Sequence, residues 1–452
     1  MMAMQLSEAA QVLSARQSGP NAEFSGVSTD SRSLEKGNLF VALRGPNFDG
    51  HAFLDQAWDR GAAAAAVSQP VETTIPYLSV PDTRLALGEL AHHWRKRFSL
   101  PVIGVTGSNG KTTVKELCAA ILGCRGQVLV TKGNLNNEIG VPMTLFRLGP
   151  ADQFAIIELG ANHPGEIANL AAIAHPTIGI ITNAAAAHLQ GFGSLEGVAR
   201  SKGELLLGLA SDGVAVINAD DPFAPLWKEL AGSRSIQTFG MSRSADVWGE
   251  WQPGSAGNHL HISVGGEETK VTLSLPGRHN ALNALAAAAA CIVAGATLKE
   301  VKQGLQSVQP LGGRLCIHKL PAEVTVIDDT YNANPSSLQA ALQVLAESSG
   351  DRWLVLGDMG ELGEDALEFH RQAARSARAA GVTRLYALGE LAAEAAAVFG
   401  KGGRAFSEST SLLAELQTDL RPGVALLVKG SRAMAMERVL QAVMSVAGEI
   451  DG

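Results

Sequence analysis

The stretch PVIGVTGSNGKTTVKELCAAIL, Pro101 to Leu122, limits what the rest of the chain can be. Val102, Ile103 and Val105 form a β-branched apolar run suited to a buried strand, with glycines at 104, 107 and 110. Lys111-Thr112-Thr113 follows, and then a helical pattern. A strand feeding a glycine-rich turn at a helix N-terminus aims backbone N–H groups and the positive end of the helix dipole at one point, which suits a phosphate. Gly107, Ser108, Asn109, Gly110, Lys111, Thr112 and Thr113 are therefore expected to bind ATP. Lys111 would reach the outer phosphates as a point charge and the Thr112 hydroxyl would ligate magnesium. An ordinary glycine-rich turn is the alternative; the Gly-Lys-Thr-Thr ending between strand and helix argues against it.

At 452 residues the chain exceeds what one hydrophobic core serves, so two or three domains are expected. Hydrophobic residues at 46% and charged residues at 18% describe a globular chain, not a disordered one. The formal charge of -8 argues against a nucleic-acid partner, which calls for a basic face, although a local pocket can still be positive. Cys118, Cys124, Cys291 and Cys316 include no CxxC pair and read as buried, reduced thiols. The start, MMAMQLSEAAQVL, lacks the basic flank and apolar core of a secretory signal. The most apolar tract, Ala281 to Ala296, is interrupted by Asn283 and falls short of the roughly 18 residues a membrane span needs. A cytoplasmic protein without a membrane partner is expected.

Alternating strand and helix patterns predict an α/β protein of three domains. Residues 1–82 read as a small α/β unit, 83–313 as a central parallel-sheet ATPase domain, and 314–452 as a Rossmann-like doubly wound domain. Residues 235–276 change character, with short β-like runs and several glycines, and predict an antiparallel insertion or edge.

Further positions carry candidate chemistry. Glu158 ends the strand pattern AIIELG at the sheet edge where α/β proteins place ligands; it is either a magnesium ligand or an exposed strand-end acid. His188, in NAAAAHLQGFGS, follows another strand; imidazole suits magnesium poorly, so the residue alone favours a loop-structural role. Lys202, in ARSKGELL, reads alone as a solvated lysine. GRHNALNALAAAA, Gly277 to Ala289, puts Asn280 in position to cap a helix and Asn283 one turn on, where an amide can pair with a base edge. After Gly313, Arg314 can neutralise phosphate; in DDTYNANP, Asp329 can accept from ribose hydroxyls while Tyr331 or Asn332 borders the base. Lys429, Ser431 and Arg432 occupy a strand-to-helix turn that is either a second anion site or a plain surface turn. Their order predicts one site assembled from two domains that closes during turnover.

The usual mononucleotide loop has its first glycine where Val105 stands, and TGSNGKTT resembles instead the loop of the Mur ligase family and its folate-glutamate ligase cousins. GNLNNEIGVPMTL (133–145), ELGANHPGEI (158–167), LPGRHNALNALAAAA (275–289), LGDMGELG (356–363) and LVKGSRAMAME (427–437) extend the resemblance along nearly the whole chain. The family often has threonine at the position of Ser108.

The resemblance implies an ATP-dependent ligase that joins a carboxylate to an amine, here UDP-MurNAc-tripeptide to D-Ala-D-Ala, and works as a monomer. It reverses the reading of His188, making it a metal ligand. It makes Lys202 a carbamylated lysine that holds the second of two magnesium ions with Glu158 and His188, and Lys111 completes the implied catalytic set. STDSR and GPNFDG resemble segments that hold the uridine diphosphate end, through Thr29, Ser31 and Asn47, while Asn136, Asn137 and Asn162 would line the substrate channel. A folate-type ligase or a sibling lacking this front end is the rival enzyme; a nucleotide-gated switch is the rival outside enzymes. The sibling that adds the third amino acid carries a DNPR motif, which this chain lacks.

Overall fold

The computed structural model describes residues 2–254 and 257–448. Three large sheets follow one another along the chain, giving a three-domain α/β fold.

The first sheet has five short strands in the order 16–18, 77–79, 64–67, 38–41 and 26–28, of which only Arg16–Ser18 runs antiparallel to its neighbour. All five have only three or four residues, too few to show alternation in the sequence. The following helix, Thr83–Arg95, is capped by the Asp82 carboxylate, which accepts from the amides of Arg84 and Leu85. It touches both units: Thr83 donates to the Ala42 carbonyl at 2.9 Å and the Trp94 indole to the Leu148 carbonyl at 3.2 Å.

The central sheet has nine strands in the order 127–130, 152–158, 102–106, 178–181, 214–218, 235–240, 247–254, 257–264 and 267–273. The first seven pair in parallel and the last two close it as an antiparallel ribbon. The expected antiparallel segment therefore starts later than 235: Ser235–Gly240 continues the parallel sheet beside Val214–Asn218. Strand Val102–Thr106 lies between Asp152–Glu158 and Ile178–Ile181, where the strand order changes direction, so its carboxyl end opens on the crevice of an α/β sheet.

Helix Arg278–Val293 is buried along most of its length by seven alanines between Ala281 and Ala290, small enough to lie close to the sheet and to helix Lys111–Gly123. Its N-cap is Gly277, not Asn280; Asn280 sits in the first turn and donates to the Pro276 carbonyl at 2.8 Å.

The third sheet orders its strands 316–319, 325–329, 424–429, 351–357, 382–388 and 403–406, all parallel after the first. Its last helix begins at Glu437, after a short 3-10 turn at Arg432–Met434, and not at Ala433 as its sequence pattern suggests. Among the described residues no helix is long and apolar enough to cross a membrane.

Trp227 is fully buried and donates its indole to the Ala199 carbonyl at 2.9 Å, fastening helix Ala224–Ala231 to helix Leu195–Leu207. Trp227→Ala is expected to cost about 4 kcal/mol, measured as a lower urea midpoint with unchanged slope.

Candidate active site

The loop after Val102–Thr106 is shaped by two glycines. Gly107 has φ +145°, and a Cβ there would lie 1.9 Å from Thr182 Oγ1; Gly110 has φ +84°, and a Cβ would lie 2.4 Å from Asn283 Oδ1. The Ser108 amide donates to the Asn183 carbonyl at 3.0 Å, and the Asn109 amide to Asn183 Oδ1 at 3.0 Å. The first amides of helix Lys111–Gly123 have no carbonyl one turn earlier in the helix, and residues 110–113 line a cleft of about 790 Å³. Lys111 curls back so that its ammonium donates to the Gly107 and Ser108 carbonyls at 2.7 and 3.4 Å. Burial lowers its pKa, Glu158 pulls it up and Arg314 adds to the lowering.

Glu158 closes the adjacent strand and is 2% exposed. It accepts from the Thr112 hydroxyl at 3.0 Å and from the Asn136 amide at 2.8 Å. Behind it stands Lys115, which no motif in the sequence marks. Lys115 is 1% exposed, donates to the Thr131 carbonyl at 2.8 Å, and lies 3.0 Å from Glu116 and 3.8 Å from Glu158. Its spacing of four from Lys111, which puts both on one helix face, was the available signal.

Magnesium takes oxygen donors, typically one or two carboxylates with phosphate oxygens. The adjoining Thr112 and Glu158 oxygens fit that requirement. Among the described residues no three His, Cys, Asp or Glu side chains converge as a metal cage.

His188 caps the short helix Leu189–Phe192 in a left-handed conformation, φ +54°. Its Nδ1 is in ion-pair contact with Glu361 of the third unit, off the line of a hydrogen bond. Burial lowers its pKa; Glu361 opposes this, while Lys111 and Lys202 add to it. Lys202 is 2% exposed, with its amine 3.4 Å from the Ala161 carbonyl and 4.8 Å from the centre of the Phe192 ring. Burial, reinforced by Lys111, lowers its pKa to about 7, so this is not the solvated lysine that its residue type suggests.

The third unit closes over the loop. Arg314 donates to Thr112 Oγ1 at 3.0 Å and lies 4.1 Å from the Tyr331 ring centre. Asn334, which caps helix Pro335–Ala346, donates to Asn109 Oδ1 at 2.8 Å. Lys429 lines the cleft with its ammonium on the Asp329 carboxylate and on the Asn332 carbonyl at 3.0 Å. Burial raises the Asp329 pKa and Lys429 pulls it back. Asn283, Asn332, Ser431 and Arg432 also line the cleft.

Of the expected substrate residues, Asn136, Asn137 and Asn162 border this cleft, and Asn137 Oδ1 also accepts from the Gly140 amide at 2.8 Å. Thr29, Ser31 and Asn47 lie outside its lining, in the first unit. The Ser31 hydroxyl donates to Gln56 at 2.6 Å, and Asn47 is exposed in the hairpin between Arg44–Gly45 and Phe48–Asp49.

Three family descriptions match consecutive parts of the chain: the Mur ligase family catalytic domain at 23–95, the Mur ligase middle domain at 105–291, and the Mur ligase glutamate ligase domain at 313–432. The UDP-N-acetylmuramoyl-tripeptide–D-alanyl-D-alanine ligase of Escherichia coli K12 is 43% identical, over 98% of this chain and 99% of that protein. This chain belongs to the Mur ligase family. A crystal structure of MurF from Acinetobacter baumannii superposes with a TM-score of 0.91 at 36% identity, over 97% of this chain and 98% of that one. MurF ligase from Thermotoga maritima, solved in complex with ADP, superposes with a TM-score of 0.84 at 28% identity, over 93% of this chain and 97% of that one.

Replacing Lys115 by Met leaves buried Glu158 without its nearby cation. The expected cost is about 3 kcal/mol in urea unfolding, with Lys115→Arg losing less.

Proposed function

We propose that this Mur ligase joins D-alanyl-D-alanine to UDP-N-acetylmuramoyl-tripeptide, consuming ATP and giving UDP-MurNAc-pentapeptide, ADP and phosphate. The setting is cytoplasmic peptidoglycan precursor synthesis, and the working form is a monomer. The observation that carries the reading is the hydrogen bond from Arg314 to Thr112, which brings a cation of the third unit onto the phosphate loop. The full-length similarity to the Escherichia coli ligase supports the choice of substrates.

A carboxylate is a poor electrophile, because its charge is shared and its leaving group would be oxide. Transfer of the γ-phosphoryl group of ATP to the tripeptide's terminal carboxylate gives an acyl phosphate and ADP. The dipeptide amine then attacks the acyl carbon, the C–O bond to phosphate breaks, and the amine proton leaves to solvent. Charge crowds the site at each stage, so positioning and electrostatic stabilisation carry the catalysis.

Lys111 and the helix amides that follow Gly110 hold the β- and γ-phosphates. Arg314 neutralises phosphate from the opposite wall, and Asn283, Asp329, Tyr331 and Asn332 border the nucleoside. Thr112 and Glu158 would hold one magnesium ion, and His188 and a carbamylated Lys202 would, with Glu158, be the ligands of a second. Magnesium bound by these residues would supply positive charge against the triphosphate and the acceptor carboxylate. The low pKa of Lys202 supports carbamylation, since carbon dioxide adds to a neutral amine. Thr29, Ser31 and Asn47 take the uridine diphosphate end, and Asn136, Asn137 and Asn162 the channel. Lys429 serves closure through Asp329, and Ser431 and Arg432 face the dipeptide carboxylate. The division into 1–82, 83–313 and 314–452 assigns precursor binding, nucleotide chemistry and closure respectively.

Phosphate release with ATP and UDP-MurNAc-tripeptide is expected only when D-Ala-D-Ala is present; turnover indifferent to the dipeptide would sink the reading. Lys111→Ala is expected to lower that rate by about a hundredfold or more, the scale of one lost electrostatic contact to a transition state. Lys202→Ala should lower it similarly. Carbon-13 bicarbonate should give a carbamate NMR signal in the parent protein that is missing from this variant, and a near-normal rate would retire the carbamate.

A further inference from the structure

The proposed reaction needs an amine to arrive beside the activated carboxyl group. D-Ala-D-Ala is a zwitterion, so the cleft must receive an ammonium as well as a carboxylate. Five acids line it: Glu138, Glu158, Glu166, Asp329 and Glu361. Four are engaged by donors of their own. Glu138 pairs with Arg84, Glu158 accepts from Thr112 and Asn136, Glu166 accepts from the Asn162 amide and pairs with His163, and Asp329 pairs with Lys429.

Glu361 is the most exposed of the five, its side chain 54% exposed, and it is paired with the His188 ring. The backbone holds it there. Glu361 has a left-handed φ of +60°, and its carbonyl accepts from the Gln190 amide at 3.3 Å across the junction of two units. The loop around it is tied to the turn that carries Arg432: the Ser431 amide donates to the Asp358 carbonyl at 2.9 Å, and a Cβ on Gly360 would lie 3.7 Å from that of Ser431. One wall thus presents a carboxylate and a guanidinium, with side chains 54% and 64% exposed, to the same cleft.

We propose that Glu361 is a specificity-determining residue that receives the ammonium end of the zwitterionic dipeptide beside His188, with Arg432 on the same wall for its carboxylate. The assignment rests on the ligase reading above. It gives a role to a non-glycine residue held in a left-handed turn facing another unit.

The test separates the two half-reactions. With ATP and UDP-MurNAc-tripeptide alone, hydroxylamine traps the acyl phosphate as a hydroxamate and brings no dipeptide ammonium. Glu361→Gln is expected to raise the KM for D-Ala-D-Ala about tenfold or more, the scale of a lost charge-assisted hydrogen bond. Hydroxamate formation, the KM for ATP and the half-saturating magnesium concentration should stay at parent values, and Glu361→Asp should recover part of the loss. An unchanged dipeptide KM overturns the proposal. So does a parallel fall in hydroxamate formation, which marks a closing contact only, or a raised magnesium requirement, which marks a metal ligand. Absence of hydroxamate from the parent enzyme would instead refute the ligase reading itself.

Discussion

The Thr112 hydroxyl joins the two walls of the cleft: it donates to Glu158 on the central sheet and accepts from Arg314 on the third unit. A hydroxyl has one proton and two lone pairs, so it can serve both partners at once. The strand and helix that flank the loop fix the position of that oxygen. Val105 pairs with Glu158 in the sheet register, which brings the carboxylate level with the loop, and the helix starting at Lys111 presents Thr112 from its first turn. Asn334 and Asn109 make a second seam between the same two units. The contact between the two units is thereby made at the loop itself, through groups on Thr112 and Asn109.

The charges follow a consistent pattern within an acidic protein. Lys111, Lys115, Lys202 and Lys429 are drawn into or behind the cleft, and each meets carbonyl oxygens or carboxylates. Lys115 and Lys429 have carboxylate partners, Glu116 with Glu158 and Asp329 respectively. Lys202 has a carbonyl and an aromatic ring, and burial, with Lys111 adding to it, depresses its pKa. Lys111 and Lys202, by contrast, have no carboxylate at ion-pair distance among the described residues, and burial lowers the pKa of both.

The phosphate loop, the alternation of strands and helices, and Glu158 at a strand end were legible because each is a local pattern. Val102, Ile103, Val105 and Thr106 are β-branched around Gly104, and Gly107 and Gly110 recur within one short stretch of the loop. The missed features are non-local. Lys115 looks like any helix lysine until Thr131 and Glu158 are folded against it, and Glu361 gains meaning only when His188 arrives from a different unit. The capping assignment to Asn280 failed because Gly277 already takes the cap position, which leaves Asn280 to bond the Pro276 carbonyl. The strand at Ser235–Gly240 resembled the ribbon beyond it because an edge of mixed polarity looks alike in either direction; only its pairing with Val214–Asn218 distinguishes them.

The alanine-rich helix Arg278–Val293 acts as a spacer whose thickness is set by methyl groups. Asn283 on its first turns faces Gly110, while alanines farther along lie in the same core as Val114, Leu117 and Ile121 of the loop helix. Larger side chains on that seam would push the two helices apart and carry Asn283 away from the loop. The width of the cleft between Asn283 and the loop is therefore gauged by residues that do not line it, and drift in core volume is a route by which relatives of this chain could retune that cleft without changing any residue of its lining.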